Sequence, residues 1–250
     1  MSTKAFTDRL LAWYDRHGRK DLPWHQNRSA YAIWVSEIML QQTQVSTVIP
    51  YFYRFVERFA DIEALAAASL DEVLHYWTGL GYYARARNLH NTARIIVERH
   101  HGRFPRDYET VQTLPGIGAS TAGAILAFAS GQRHVILDGN VKRVLARYHA
   151  IDGWPGRRDV ATQLWDLADR HTPGTRVRAY TQAIMDLGAT VCRRARPDCV
   201  RCPVRLGCRA LALGAARRYP AARPRRSLPT RTTAMIMIQD GLGRDRKSVV

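Results

Sequence analysis

Cys192, Cys199, Cys202 and Cys208 are the only cysteines in 250 residues, and six, two and five residues separate them. Four thiols confined to one short segment have no distant partner to staple, so they read as ligands of one centre before they read as a disulfide framework. Structural zinc normally shows two C-x2-C knuckles or a Cys/His mixture, whereas this segment holds one C-x2-C and no histidine. A [4Fe–4S] cluster takes four thiolates at variable spacing. An iron–sulfur cluster is therefore the first reading of the array, zinc the second and disulfides the last.

The charge is polarised toward the same end. Thirty-eight Lys and Arg against 21 Asp and Glu leave a formal net charge of +17. From Cys192 onward fifteen basic residues face three acidic ones, which places +12 of the +17 in the last 59 residues. Arg makes up 34 of the 38 basic residues, a skew that coding bias could produce, but such bias does not gather charge at one end. A concentrated basic segment supplies the sequence-independent phosphate attraction of DNA or RNA binding. Met1–Leu11 lacks the apolar core of a signal peptide, and no run approaches the roughly 18 apolar residues of a membrane helix. The expectation is a soluble cytoplasmic protein with no membrane partner, in a reducing compartment that suits thiolate ligands.

Periodicity is helical almost throughout. Phe6, Leu10, Trp13 and Tyr14 form one amphipathic face, and Ile33–Leu40, Tyr51–Phe59, Leu70–Trp77, Leu89–Val97, Ala119–Ala129, Val141–Tyr148 and Val160–Ala168 give further helical stretches. The pattern predicts an all-α unit to about residue 214. From about Arg217 the composition turns to Arg and Pro (RRYPAARPRRSLPTR), the signature of an extended basic linker. Ala234–Gln239 (AMIMIQ) reads as the opening of a strand with too few residues after it to fold alone.

Thr113–Gly123 (TLPGIGASTAG) punctuates that pattern. Pro115 ends one helix, Gly116 and Gly118 permit a tight turn, and a helix restarts from Ser120 with its first backbone N–H groups free to grip a phosphate. Such a turn is often just a helix connection; Leu-Pro-Gly-Ile-Gly between helices resembles the helix–hairpin–helix element of DNA-binding proteins, with Ile117 as the apolar pin.

Two carboxylates stand apart. Glu37 lies in YAIWVSEIML, where a helix either projects it to solvent or holds it in an apolar cleft. Position alone favours the exposed reading; burial would raise its pKa and keep it protonated, as a general acid must be. Asp138, in VILDGNVKRVLAR, sits where an apolar run meets a new helix and suits an N-cap, which can also face a cleft. Breaking a glycosidic bond through a cation-like sugar needs an acid for the leaving group and a carboxylate near the sugar, and these two could supply the pair.

Leu22–Trp24 (LPW), Trp34–Val45 (WVSEIMLQQTQV), Trp77–His90 (WTGLGYYARARNLH), Leu114–Ile125 (LPGIGASTAGAI), Ile136–Arg147 (ILDGNVKRVLAR) and Met185–Cys192 (MDLGATVC), with the cysteine array, resemble the endonuclease III superfamily of DNA glycosylases, and within it the adenine DNA glycosylase family. The resemblance covers about residues 5–230. It implies a two-lobed helix–hairpin–helix fold: a six-helix barrel lobe at 29–137, a [4Fe–4S] cluster lobe from 1–28 and 138–214, a basic linker at 215–233, and at 234–250 the start of a C-terminal domain that is truncated or absent. It also implies a monomer at the bacterial nucleoid that flips adenine out of DNA opposite 8-oxoguanine or guanine. In the implied chemistry Glu37 protonates the base and Asp138 stabilises the sugar cation. Trp24, Leu40 and Gln182 match pocket positions, Gln42 and Tyr82 match wedge positions, and Gly116, Gly118 and Ser120 belong to the DNA-gripping hairpin. The family's cysteine array holds [4Fe–4S], and Arg193, Arg194, Arg196, Arg201 and Arg205 between the ligands would face phosphates.

The lyase branch carries a lysine where this chain has Ser120, so the resemblance implies hydrolytic base removal without a Schiff base. An endonuclease III-like glycosylase/lyase is the nearest alternative. A non-catalytic helix–hairpin–helix protein with a structural metal is the other, and it leaves Glu37 and Asp138 coincidental. Family members continue into a second domain that reads 8-oxoguanine; this chain ends at Val250, so weaker discrimination between 8-oxoguanine and guanine is expected.

Overall fold

The computed structural model describes residues 3–26, 29–224, 230 and 232–233. The elements in chain order are α1 (Thr3–His17), α2 (Pro23–Gln26), α3 (Ala30–Leu40), α4 (Val45–Arg58), α5 (Ile62–Ala67), α6 (Leu70–Trp77), α7 (Ala84–His100), α8 (Tyr108–Thr113), α9 (Ala119–Ser130), α10 (Gly139–His149), α11 (Arg158–His171), α12 (Val177–Asp186) and α13 (Arg209–Ala212). A π-helical turn at Leu187–Val191 continues α12, and no strand occurs among the described residues. Ala234–Gln239 and the rest of 234–250 lie outside the described residues, as does much of the Arg/Pro segment.

Helix starts follow local chemistry. Asp61, Ser69, Asp107 and Asp138 each accept a hydrogen bond from the backbone N–H three residues on, satisfying a donor that the first turn cannot pair internally. Helix α9 ends where Gly131 adopts φ +74°.

Helix α3 is the structural axis. Tyr31, Ile33, Trp34, Val35, Ser36, Ile38 and Met39 are all buried, so apolar contact surrounds the helix instead of lining one face. It packs against α2, α4, α7 and α9. Helix α9 carries no charged residue, and Gly123 within it lets the backbone carbonyl of Val135 come so close that a Cβ would stand 2.5 Å from it. That contact seats the extended 132–137 segment against α9.

Helix α1 crosses to the C-terminal half, packing on α11 and α12. Thr7 Oγ1 donates to the His171 carbonyl at 2.9 Å, and Phe6 packs over the His171 ring at 4.3 Å. His149 of α10 and His171 of α11 meet through their Nε2 atoms at 2.8 Å, an arrangement that requires at least one neutral ring. Burial is the main reason both are pushed down to about 4.

A histidine depressed from 6.5 stabilises the fold fully above about pH 6.5, and that contribution is lost as pH falls toward 4. The thermal midpoint should therefore drop between pH 6.5 and 4, and the drop should be shallower in a His149→Asn/His171→Asn double variant. Equal slopes in differential scanning calorimetry would show that the pair does not set acid stability.

Candidate active site and cysteine loop

Glu37 is the single charged residue of α3, on a helix with core on nearly every side. Its side chain is half-buried, and its carboxyl is pushed from 4.5 up to about 8, first by burial and then by the charge of Asp138. The two carboxyls therefore share one electrostatic environment, although 100 residues of chain lie between them.

Asp138 reaches that place as the N-cap of α10. One carboxylate oxygen accepts from Val141 N at 2.7 Å and the other from Asn140 Nδ2 at 3.3 Å. Burial raises its pKa, while these bonds and the Arg143 charge oppose the rise. Environment thus separates the pair, with Glu37 favouring the acid form and Asp138 supplied with donors for the carboxylate. Ser120, in the first turn of α9, accepts from Leu137 N at 2.9 Å, so the hairpin serine fixes the residue before Asp138.

The pocket positions divide. Trp24 is buried on α2 and meets Phe52 edge to face at 5.5 Å; Leu40 is half-buried at the end of α3. Gln182, 4% exposed, donates to Asp186 Oδ1 at 2.7 Å. Asp186 is 1% exposed and also receives Arg19 through its backbone N–H and guanidinium at 2.7–2.8 Å. Neither Asp186 nor Arg19 stands out in sequence, because an Asp at the end of a helix reads as surface.

The hairpin forms as expected, with the helix resuming at Ala119. Gly116 has φ +80° and Asn88 Cβ only 2.9 Å from where a Cβ would lie, so glycine is required twice over. Ile117 is buried, Gly116 and Gly118 are exposed, and α9 has no side-chain cap at Gly118. Gln42 and Tyr82 are both exposed and both left-handed, at φ 61° and 49°.

Helix α10 links Asp138 to the cysteine loop. Arg143 donates to Asn140 Oδ1 and the Gly188 carbonyl at 2.7 Å and to the Cys192 carbonyl at 2.8 Å. Arg147, 3% exposed, donates to the carbonyls of Cys192, Arg193, Arg194 and Tyr219 and to Cys192 Sγ at 3.3 Å. In sequence this arginine pair at i, i+4 looks like solvent-facing charge; the structure buries Arg147, half-buries Arg143 and turns both onto backbone carbonyls.

None of the four cysteines is in a disulfide; all are half-buried and within electrostatic reach of one another. Burial raises Cys199 and Cys208 and takes Cys202 to about 12, with the neighbouring cysteines adding to the rise. A positive centre among these cysteines would favour their thiolate forms. Among the described residues no three His, Cys, Asp or Glu side chains converge as ligands of one ion. The loop arginines Arg193, Arg194, Arg196, Arg201 and Arg205 are exposed.

Residues 35–170 match the family described as HhH-GPD superfamily base excision DNA repair protein. The adenine DNA glycosylase of Buchnera aphidicola subsp. Acyrthosiphon pisum is 41% identical over 239 residues, covering 96% of this chain and 68% of that protein. The human protein of that name is 48% identical over 215 residues, covering 82% of this chain and 39% of that one. Among solved structures, a thermostable thymine-DNA glycosylase superposes with a TM-score of 0.77 at 27% identity, covering 84% of this chain and 97% of that one. A non-covalent endonuclease III–DNA complex shares the fold, with a TM-score of 0.71 at 20% identity over 84% of this chain and 96% of that one. No helix among the described residues is long and apolar enough to cross a membrane.

A carboxyl raised from 4.5 to about 8 contributes stability in full below pH 4.5 and loses it as pH rises through 8. Glu37→Gln should therefore melt higher than the unsubstituted protein at pH 8.5 and close to it at pH 5. A midpoint equal or lower at pH 8.5 would show that the site does not press the proton onto Glu37.

Proposed function

We propose that this chain, which belongs to the HhH-GPD superfamily of base excision DNA repair proteins and within it to the adenine DNA glycosylases, removes adenine mispaired with 8-oxoguanine or guanine from duplex DNA by hydrolysis. The observation that carries the chemistry is the carboxyl pair. Glu37 is held protonated near neutrality, while Asp138 sits in the same electrostatic environment with donors on both oxygens.

The target base must leave the stack, since neither carboxyl reaches into an intact duplex. Glu37 then delivers its proton to adenine N7, and the electron pair of the breaking C1′–N9 bond passes to the base. Asp138 stabilises the cationic sugar or bonds to it transiently; water adds hydroxyl to C1′ and returns a proton to Glu37. Trp24, Leu40 and Gln182 line the pocket in this reading, with Asp186 and Arg19 orienting the Gln182 amide. Gln42 and Tyr82 enter the duplex beside the extruded base and the opposing purine. The uncapped start of α9 and the loop arginines bind phosphates. Ser120 has no amine for a Schiff base and is already engaged as an acceptor, which supports hydrolysis over lyase chemistry.

Cys192, Cys199, Cys202 and Cys208 would hold a [4Fe–4S] cluster, which takes four thiolates at variable spacing, and the array lacks the paired knuckles or histidine usual for zinc. The cluster would supply a cross-link holding the arginine loop, and Arg147 donates toward Cys192 Sγ, where thiolate charge would lie.

Duplexes carrying adenine opposite 8-oxoguanine, cytosine opposite 8-oxoguanine, or thymine glycol, followed by alkali, test the assignment: only the first should be cut. Glu37→Gln and Asp138→Asn should each slow excision on the order of 10²–10⁴-fold while retaining duplex binding. Near-normal excision by either variant removes that residue from the chemistry. Borohydride should trap little covalent complex, and efficient trapping would return the chain to the lyase branch. Anaerobically purified protein should be brown with about four irons per chain; colourless protein with stoichiometric zinc would contradict the cluster.

A further inference from the structure

Arg85 is buried at the start of α7, below the two loops that carry Gln42 and Tyr82. Its Nη1 donates to the carbonyls of Ile38, Met39 and Gln41 at 3.1, 2.6 and 2.6 Å. These carbonyls belong to the end of α3 and the turn after it, where the helical ladder runs out of donors; the Ile38 carbonyl also accepts from Gln41 N at 3.3 Å. Its Nη2 donates to the carbonyls of Leu80 and Gly81 at 3.1 and 3.2 Å, and the guanidinium carbon lies 5.5 Å from the Tyr82 ring centroid. One side chain therefore spans two separate segments, each ending in an exposed left-handed residue, Gln42 and Tyr82. Left-handed backbone at a non-glycine residue persists only where its surroundings enforce it.

We propose that Arg85 is the positioning residue that locks the Gln42 and Tyr82 loops at one fixed spacing, so that both enter the duplex together when the target base is extruded. The inference rests on the wedge reading of those two residues. A guanidinium suits the task because it offers five N–H donors in a rigid planar fork, whereas a lysine offers one flexible ammonium that cannot span both sets of carbonyls. Glu37 immediately precedes Ile38 and Met39, whose carbonyls Arg85 holds, so the spacing of the wedges is referenced to the acid.

The test is a double-variant cycle on single-turnover excision. Arg85→Lys and Arg85→Gln are made alone and with Tyr82→Ala, so that a fold lost in one Arg85 variant leaves the other; circular dichroism and melting report the fold. The two substrates are adenine opposite 8-oxoguanine, and adenine opposite an abasic site, where no opposing base meets the wedge. Arg85 variants should slow the mismatch by about ten-fold or more and the abasic-site duplex much less. In the Tyr82→Ala background the Arg85 change should add little, because the two act through one step. An equal slowing on both substrates, or an undiminished one in that background, shows a general structural role and overturns the proposal. If Tyr82→Ala itself leaves the mismatch rate unchanged, the wedge reading falls and this inference with it. Absence of adenine excision by the unsubstituted protein on either duplex would overturn the functional reading instead.

Discussion

The structure depends on where it places one carboxyl. Helix α3 is surrounded by core, and Glu37 is its only charge. Ionising this half-buried group forfeits part of its hydration, and the nearby charge of Asp138 adds to the penalty. The site resolves this by keeping Glu37 protonated near neutrality. A proton held at about pH 8 is both retained by the free protein and available to a weakly basic acceptor, the balance that general acid catalysis needs. Burial raises the pKa of Asp138 as well, but its oxygens cap α10 and accept from Asn140, and these bonds oppose the rise.

Helix α10 then couples that environment to the rest of the chain. Its N-cap is Asp138, and two of its arginines hold the backbone of the cysteine loop. Displacing the loop would move carbonyls that Arg143 and Arg147 grip and so would shift the helix on which Asp138 is mounted. Ser120 braces the other side of Asp138 through Leu137, and Arg85 braces the end of α3 beyond Glu37. The backbone beside each carboxyl is therefore held by polar contacts, which have more defined geometry than apolar packing.

Much of this was legible in sequence. The eight periodic stretches all fall on helices, because their apolar spacing matches the helical repeat that burial selects. The hairpin glycine was legible because few residue types satisfy left-handed backbone. Glu37 was ambiguous: its position on the helix does not reveal that the opposite face is also covered, and the exposed reading was the natural one. Short α2, α5 and α13 lack enough turns to show a period, and α12 runs into a π turn that shifts its phase. Arg85, Arg147 and Asp186 were missed for a common reason. A charged side chain in sequence reads as solvated, and only the tertiary structure shows the unpaired carbonyls or the facing arginine that allow its burial.

The central claim is that Glu37 acts as an acid whose proton the fold itself retains. It is tested most directly by the pH dependence of single-turnover adenine excision at saturating protein. The rate should hold steady through neutrality and fall as pH passes about 8, because the acid form is lost there. At low pH it should fall as Asp138 takes a proton, above the ordinary aspartate range. A rate that stays level or rises through pH 9 would contradict the account.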